Sequence, residues 1–294
     1  MYLSLLHIVL ESFLLVVVQS LLGNCSNGDS EKEPFIAAHN IILAHAAPVK
    51  IYKAKYQKNQ GGTIGIIVLT GWFEALSNST ADNDLYRNYI FDSIINLIRF
   101  LDPIAFGRYP KEMNDLLGST LPKFSSNDSD NLKLGVDFIG INHYTSFYVG
   151  DCCIPPANPH LEVPGQKVSL DKPTLKMASP LENLQDTITI SPTRNGKTVT
   201  YISERYNNIP IIITENGELP TLTPLLMNPL NDVKRVEYLR DYLDYLSRAM
   251  RKGADVRGYF VWTLPDAYEW LHGFTKRFGP RHVDHTTLKV ETHS

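Results

Sequence analysis

The residue in this sequence best placed for chemistry is Glu215. It closes the run Ile209-Pro-Ile-Ile-Ile-Thr-Glu-Asn-Gly217, in which an unbroken β-branched stretch reads as a strand buried on both faces, as in a parallel sheet. In barrels of parallel strands the carboxyl ends carry the reactive groups, because the strand tips open there into a shared pocket. A carboxylate at that end is a candidate nucleophile; a solvated turn residue before Asn-Gly is the other reading of the same letters. Two more stretches have this form. Val136-Asp-Phe-Ile-Gly-Ile-Asn-His-Tyr-Thr145 gathers Asn142, His143 and Tyr144 at its end, and Arg257-Gly-Tyr-Phe-Val-Trp-Thr263 leads on to Glu269 and Trp270. Taken singly, Trp262 and Trp270 also read as core residues.

The elements that must position these groups follow from periodicity and turn chemistry. Gln60 to Glu74 is a Gly-led turn into a further buried strand. Phe35 to Tyr56 has helical character, with Pro34 at its start and an Ala-rich run in which His39 and His45 read as packed helix residues. Asp84 to Phe100 reads as a second helix. Asn231 to Met250 is a third, and Val233, Val236, Leu239, Leu243, Leu246 and Met250 recur in it at spacings that predict its buried face. A Ser/Asn/Asp patch after Phe124 reads as a loop or helix cap. Asp151 to Ser191 is rich in Pro and polar residues without periodicity, and loops of that length are usually functional or mobile. Strand and helix alternate four times without an internal repeat, which implies βα units in a parallel sheet.

Composition bounds the partners. The chain of 294 residues is 43% hydrophobic and 20% charged, enough for one large core. Its formal net charge of -3 gives no basic field for nucleic acid. The nine His show no metal-ligand spacing, so neither metal nor cofactor is expected. Three Cys, at 25, 152 and 153, cannot build a disulfide framework. Sequons at Asn24, Asn78 and Asn127 are glycosylation acceptors only on the secretory pathway. Residues 1–24 form a hydrophobic N-terminal segment ahead of one domain over 25–294. The segment has the length of a signal peptide but no Lys or Arg before it. As a membrane span it is interrupted by His7, Glu11 and Gln19, and an unrelated start joined to the domain is the third reading.

Taken in order, these stretches resemble glycoside hydrolase family 1, the retaining β-glucosidases, and its plant members in particular. The resemblance runs from about Cys25 to Val290 and corresponds to the second half of a family member. It rests on Trp72-Phe-Glu74, Asn142-His-Tyr144, Thr214-Glu-Asn-Gly217 and Trp262-Thr-Leu-Pro-Asp-Ala-Tyr-Glu-Trp270. It implies an α/β fold, a partial (β/α)8 TIM barrel holding strands five to eight with their helices and not closed. It also implies Glu215 as nucleophile, Tyr144 orienting it with Asn142 alongside, Trp262 as the platform under the sugar, Glu269 and Trp270 reading its hydroxyls, and Phe278 lining the pocket. Ala267-Tyr268 stands where the family usually has Asn-Phe. The family's acid/base lies in an Asn-Glu-Pro motif that this sequence lacks; Glu33-Pro34 follows Lys32 and matches a different Glu-Pro. Cys25 pairs in the family with an earlier Cys, of which there is none here. The implied partner is a small-molecule β-glucoside, hydrolysed or transglucosylated without cofactor outside the cell or in the vacuole, with little or no activity expected once the acid is missing. The alternatives are a non-catalytic sugar-binding protein and the product of a decayed gene.

Overall fold

The computed structural model describes residues 32–75, 78, 97–149, 196–218 and 232–292. The expectations for the N-terminal segment, for Asn24, for the start of the helix at Asp84 and for the loop Asp151 to Ser191 lie outside them. Four strands, β1 (Gly65–Ala75), β2 (Phe138–Val149), β3 (Ile211–Glu215) and β4 (Val256–Tyr259), pair in parallel and in sequence order. The helices are α1 (Glu33–Lys55), α2 (97–106), α3 (Lys111–Leu117), α4 (Ser126–Leu132), α5 (Gly196–Arg205) and α6 (Val233–Arg251). Parallel neighbours need crossovers, and the intervening helices supply them.

Of the two faces of the apolar runs one is fully buried, and on the other Ile67 is buried while Ile212 is half-buried. Ile66 and Val68, Ile139 and Ile141, and Ile211 and Ile213 enter one core with Ile42, Leu101, Ile202 and Tyr242 from the helices. The alternate residues Ile67, Gly140 and Ile212 face the other side. Space there is short: a Cβ on Gly140 would stand 2.7 Å from Ile67 Cγ1 and 3.0 Å from Thr214 Cγ2. In α1, His39 stacks on Phe124 at 4.5 Å and its Nδ1 lies 3.0 Å from the Tyr109 hydroxyl, while His45 is buried, so both are packed helix residues as read. The Ser/Asn/Asp patch is a helix start: Ser125 and Asp128 form a reciprocal capping box on α4.

Three expectations are corrected. The buried face of α6 is Arg235, Tyr238, Tyr242, Leu246 and Ala249, whereas Val236 is 63% exposed and Val233, Leu243 and Met250 are exposed with it. The polar-looking face wins because its guanidinium and hydroxyls find partners inside. Burying those long side chains covers more surface than the aliphatic stripe would. Helix α2 runs on through Leu101 to Phe106, past Phe100, where the second helix was expected to end. The terminal loop, from Glu269 onward, contains a hairpin, β5 (Arg281–Asp284) with β6 (Lys289–Thr292), where pattern reading assigned no strand.

Asp102 on α2 ties that helix to α5. Arg205 Nε and Nη2 donate to its two oxygens at 2.9 and 2.5 Å, and the Tyr206 hydroxyl donates at 2.7 Å. The Asp102 side chain is 4% exposed and that of Arg205 31%, so the pair is only half in water. Asp102→Ala strands a guanidinium and a buried phenol. It is expected to lower stability by about 2–3 kcal/mol, less than a fully buried pair would lose, measurable as a shifted urea midpoint.

Candidate active site

Irregular pairing at the carboxyl end of the sheet aims the site. Between β1 and β2 the register runs from Thr70↔His143 to Trp72↔Ser146, so β2 takes one residue more than its neighbour. Between β2 and β3 it runs from Ile141↔Ile213 to Asn142↔Glu215, and β3 takes the extra residue. A bulge suspends the alternation of faces. Consecutive residues of β3 therefore both reach β2: Thr214 Oγ1 donates to Asn142 Oδ1 at 2.6 Å, and Tyr144 Oη donates to Glu215 Oε2 at 2.5 Å.

Burial dominates the electrostatics. It raises the pKa of Glu215 above its ordinary value, with the side chains of Tyr144 and Asn142 pulling it back. It also raises the Tyr144 phenol, to which the Glu215 charge then adds, so Tyr144 stays a donor. Glu269, from the loop after β4, is raised by burial; the Trp262 indole opposes this, and the charges of Glu215 and Asp266 add to it. Trp262 Nε1 donates to Glu269 Oε1 at 3.1 Å, so indole and carboxylate are locked together.

A second layer of hydrogen bonds lies beneath the pocket. The Asn216 amide donates to the His143 carbonyl and to the Tyr238 hydroxyl, each at 2.7 Å, and accepts from the Tyr259 hydroxyl at 2.7 Å. Tyr238 Oη in turn donates to the Tyr144 carbonyl at 2.5 Å. Trp262 N donates to the Asn216 carbonyl at 2.8 Å. Gly217 must be glycine here, because a Cβ would stand 2.3 Å from the Trp262 carbonyl oxygen.

The terminal loop is clamped by charge. Asp266, nearly fully buried, accepts from Arg277 Nη1 at 3.0 Å, Gly279 N at 3.1 Å and Val283 N at 3.3 Å. Arg235 on α6 donates to the carbonyls of Gly279 and Arg277. Between these anchors Phe278 is delivered to within 5.7 Å of the Tyr144 ring, centroid to centroid.

Of the residues singled out in the sequence, Asn142, Tyr144, Glu215, Trp262, Glu269 and Phe278 thus converge on one pocket. Trp270 follows directly, half-buried, in the turn Trp270–His272. Asn78 and Asn127 are exposed, the latter inside α4. Sequence reasoning missed the roles of Asn216, Tyr238, Tyr259 and Asp266. For Tyr238 the one signal is the spacing of Arg235, Tyr238, Tyr242, Leu246 and Ala249, as helical as that of the aliphatic stripe, while Asn216, Tyr259 and Asp266 lie beside or within stretches already singled out. A cavity of about 270 Å³, lined by Leu101, Ile104, Val136, Ile139 and Tyr206, lies at the opposite end of the strands and away from these groups. No group able to hold a metal ion and no helix long and apolar enough to cross a membrane occurs among the described residues.

Comparison with known proteins gives the same picture. The family model described as glycosyl hydrolase family 1 matches residues 7–293. The chain is 45% identical over 269 residues to beta-glucosidase 47 of Arabidopsis thaliana, covering 90% of this chain and 47% of that protein. It is 42% identical over 274 residues to probable inactive beta-glucosidase 14 of Oryza sativa subsp. japonica, covering 91% and 52%. Among solved structures, a mutant of rice Os3BGlu6 β-glucosidase in a covalent complex with Glc superposes with a TM-score of 0.70 at 32% identity, over 92% of this chain and 57% of that one. The chain spans about half the length of the curated relatives it matches.

The raised Glu215 pKa fixes the sign of a stability effect. The folded state holds this proton more tightly than the unfolded chain, so stability falls as pH rises from about 4.5 through the folded value and is flat beyond it. Glu215→Gln removes the penalty and still accepts from Tyr144. Its melting temperature should exceed the parent's at about pH 7, with the gap closing toward pH 4. A Gln variant that is no more stable at neutral pH would show that Glu215 is not strained by burial.

Proposed function

The chain belongs to glycosyl hydrolase family 1, and from that premise we propose that it carries the nucleophile half of a retaining β-glucosidase site. Glu215 attacks the anomeric carbon of a terminal β-D-glucosyl residue and forms a covalent glucosyl ester, which water, or in a transglucosylation another acceptor, then breaks. Tyr144 holds the attacking oxygen by its short hydrogen bond. Trp262 lies under the apolar face of the sugar, while Glu269 and Trp270 take its hydroxyls and Phe278 closes the wall. The observation that carries this reading is the Tyr144–Glu215 hydrogen bond at the end of a parallel sheet, with Trp262 and Glu269 bonded to each other alongside.

A double displacement needs a second carboxyl group about 5.5 Å from the first, to protonate the leaving oxygen. No Asn-Glu-Pro occurs in these 294 residues. We therefore read the 294 residues as half a barrel, strands five to eight, with turnover lowered by roughly 100- to 10,000-fold for want of the acid. A second reading, a sugar-binding protein without turnover, is favoured by that same missing motif and by the inactive name of a relative 42% identical. The exposed sequons at Asn78 and Asn127 support a place in the secretory pathway.

A leaving group that needs no proton separates these readings. With 2,4-dinitrophenyl 2-deoxy-2-fluoro-β-D-glucoside, the peptide containing Glu215 should gain the mass of one fluoroglucosyl group, and Glu215→Gln should abolish the gain. Unactivated β-glucosides should turn over slowly with or without azide, because azide gives no proton to the leaving oxygen. By contrast 2,4-dinitrophenyl β-D-glucoside, which needs no acid to form the glucosyl ester, should turn over faster with azide, which attacks that ester without a general base. Glucose binding without labelling would replace the enzymatic reading by the binding one; rapid hydrolysis of an unactivated glucoside by this chain would overturn the missing acid.

A further inference from the structure

Resting on the nucleophile assignment, we infer that Asn216 and Tyr238 are positioning residues: they grip the backbone of β2 at its bulge and thereby hold the Tyr144 phenol on Glu215. The ladder between β1 and β2 is interrupted between His143 and Ser146, the point where Tyr144 must be held still. There the carbonyls of His143 and Tyr144 are taken by side chains, the first by the Asn216 amide and the second by the Tyr238 hydroxyl. Tyr238 can serve both ends because its oxygen accepts from Asn216 Nδ2 and spends its single proton on the Tyr144 carbonyl. Asn216 is saturated as well, with both amide hydrogens donated and its oxygen accepting from Tyr259.

Tyr238 is buried on α6, so the hydroxyl acts on Glu215 only through Tyr144. The path runs from the helix to the Tyr144 carbonyl, from there to its phenol, and from the phenol to Glu215 Oε2. Two titratable groups face Glu215: Tyr144 from β2 and Glu269 from the loop after β4. Of these, only Tyr144 donates a hydrogen bond to Glu215 and so favours the ionised form. Loosening the phenol leaves burial less opposed, and Glu215 then keeps its proton to higher pH.

The test reads Glu215 directly and does not require turnover. In full-length protein carrying ¹³C-carboxyl glutamate, the Glu215 resonance is assigned by its loss in Glu215→Gln and titrated in the parent and in Tyr238→Phe. The midpoint in Tyr238→Phe should move up by about half a pH unit. Labelling by the activated fluoroglucoside should slow on the order of 10- to 100-fold, because a reacting group displaced by even 1 Å loses that much. Glucose affinity, which rests on Trp262 and Glu269, should stay near the parent's. Tyr259→Phe, which removes only the donor to the Asn216 oxygen, should shift both readouts the same way by less, and it decides the matter if Tyr238→Phe does not fold. Folded variants whose Glu215 titrates at the parent's midpoint overturn the inference. A parent that is never labelled counts against the enzymatic reading instead, and the titration still decides this one.

Discussion

A carboxylate stripped of most of its water stays ionised only if donors take the water's place, and the pocket is arranged around that constraint. Glu215 loses water by sitting at the tip of a strand with both faces covered. What replaces the water is chiefly one phenol, and a phenol is a demanding donor because it has a single proton and a long lever arm. An error of a few tenths of an ångström in the Tyr144 backbone is carried to Oη. That explains why the polar groups beneath the pocket, bonded to one another, also reach the β2 backbone at two successive carbonyls. They fix where β2 runs past its bulge, which the parallel ladder can no longer do there. Burial raises the Glu215 pKa and donation from Tyr144 and Asn142 pulls it back, so the two effects are set against each other at one carboxylate.

The terminal loop solves a different problem with charge. It has little regular structure, the turn Trp270–His272, a bridge between Pro265 and Arg281 and the short hairpin β5–β6, so side chains must add to what backbone pairing supplies. Asp266 gathers two backbone amides and a guanidinium, and Arg235 takes two carbonyls from the other side. Both anchors are buried, where each bond is worth more than in water and where an unmade one would be costly. The aromatic wall formed by Phe278 against Tyr144 is thus a consequence of ionic anchoring several residues away. Substitution of the anchors would act on the pocket without touching it.

Tyr144 and Glu215 could be placed from the sequence because they close apolar runs, whereas Trp262, Glu269 and Phe278 entered through the family resemblance, and the last strand, read as Arg257 to Thr263, ends at Tyr259. Ile211 to Ile213 can hardly be anything but a buried strand, and Glu215 is then at its tip. The aim of Glu215 was not legible. Strict alternation would place Glu215 and Ile213 on one face, and only the bulge opposite Asn142 turns the carboxylate to Tyr144. The face of α6 was misread for a related reason. Hydrophobic period ranks Val236 and Leu243 above Tyr238 and Arg235, yet a hydroxyl or guanidinium that finds partners inside a protein carries a larger apolar body with it. Periodicity weighs residues one at a time, whereas that burial depends on partners from three other elements.

Glu269 tests how far electrostatics alone can assign roles. Its pKa is raised, and the nearby charge of Glu215 contributes, which is the pattern expected of a proton donor beside a nucleophile. The hydrogen-bond geometry argues otherwise. One carboxylate oxygen already accepts the Trp262 indole N–H, a bond that the ionised form makes best and that holds the group in the plane of the platform. A proton donor has to present an O–H to the leaving oxygen, and a carboxylate that instead offers lone pairs beside an aromatic surface is built to receive hydroxyls. The raised pKa of Glu269 then follows from being buried near two other acids, Glu215 and Asp266, and is not by itself the mark of a proton donor.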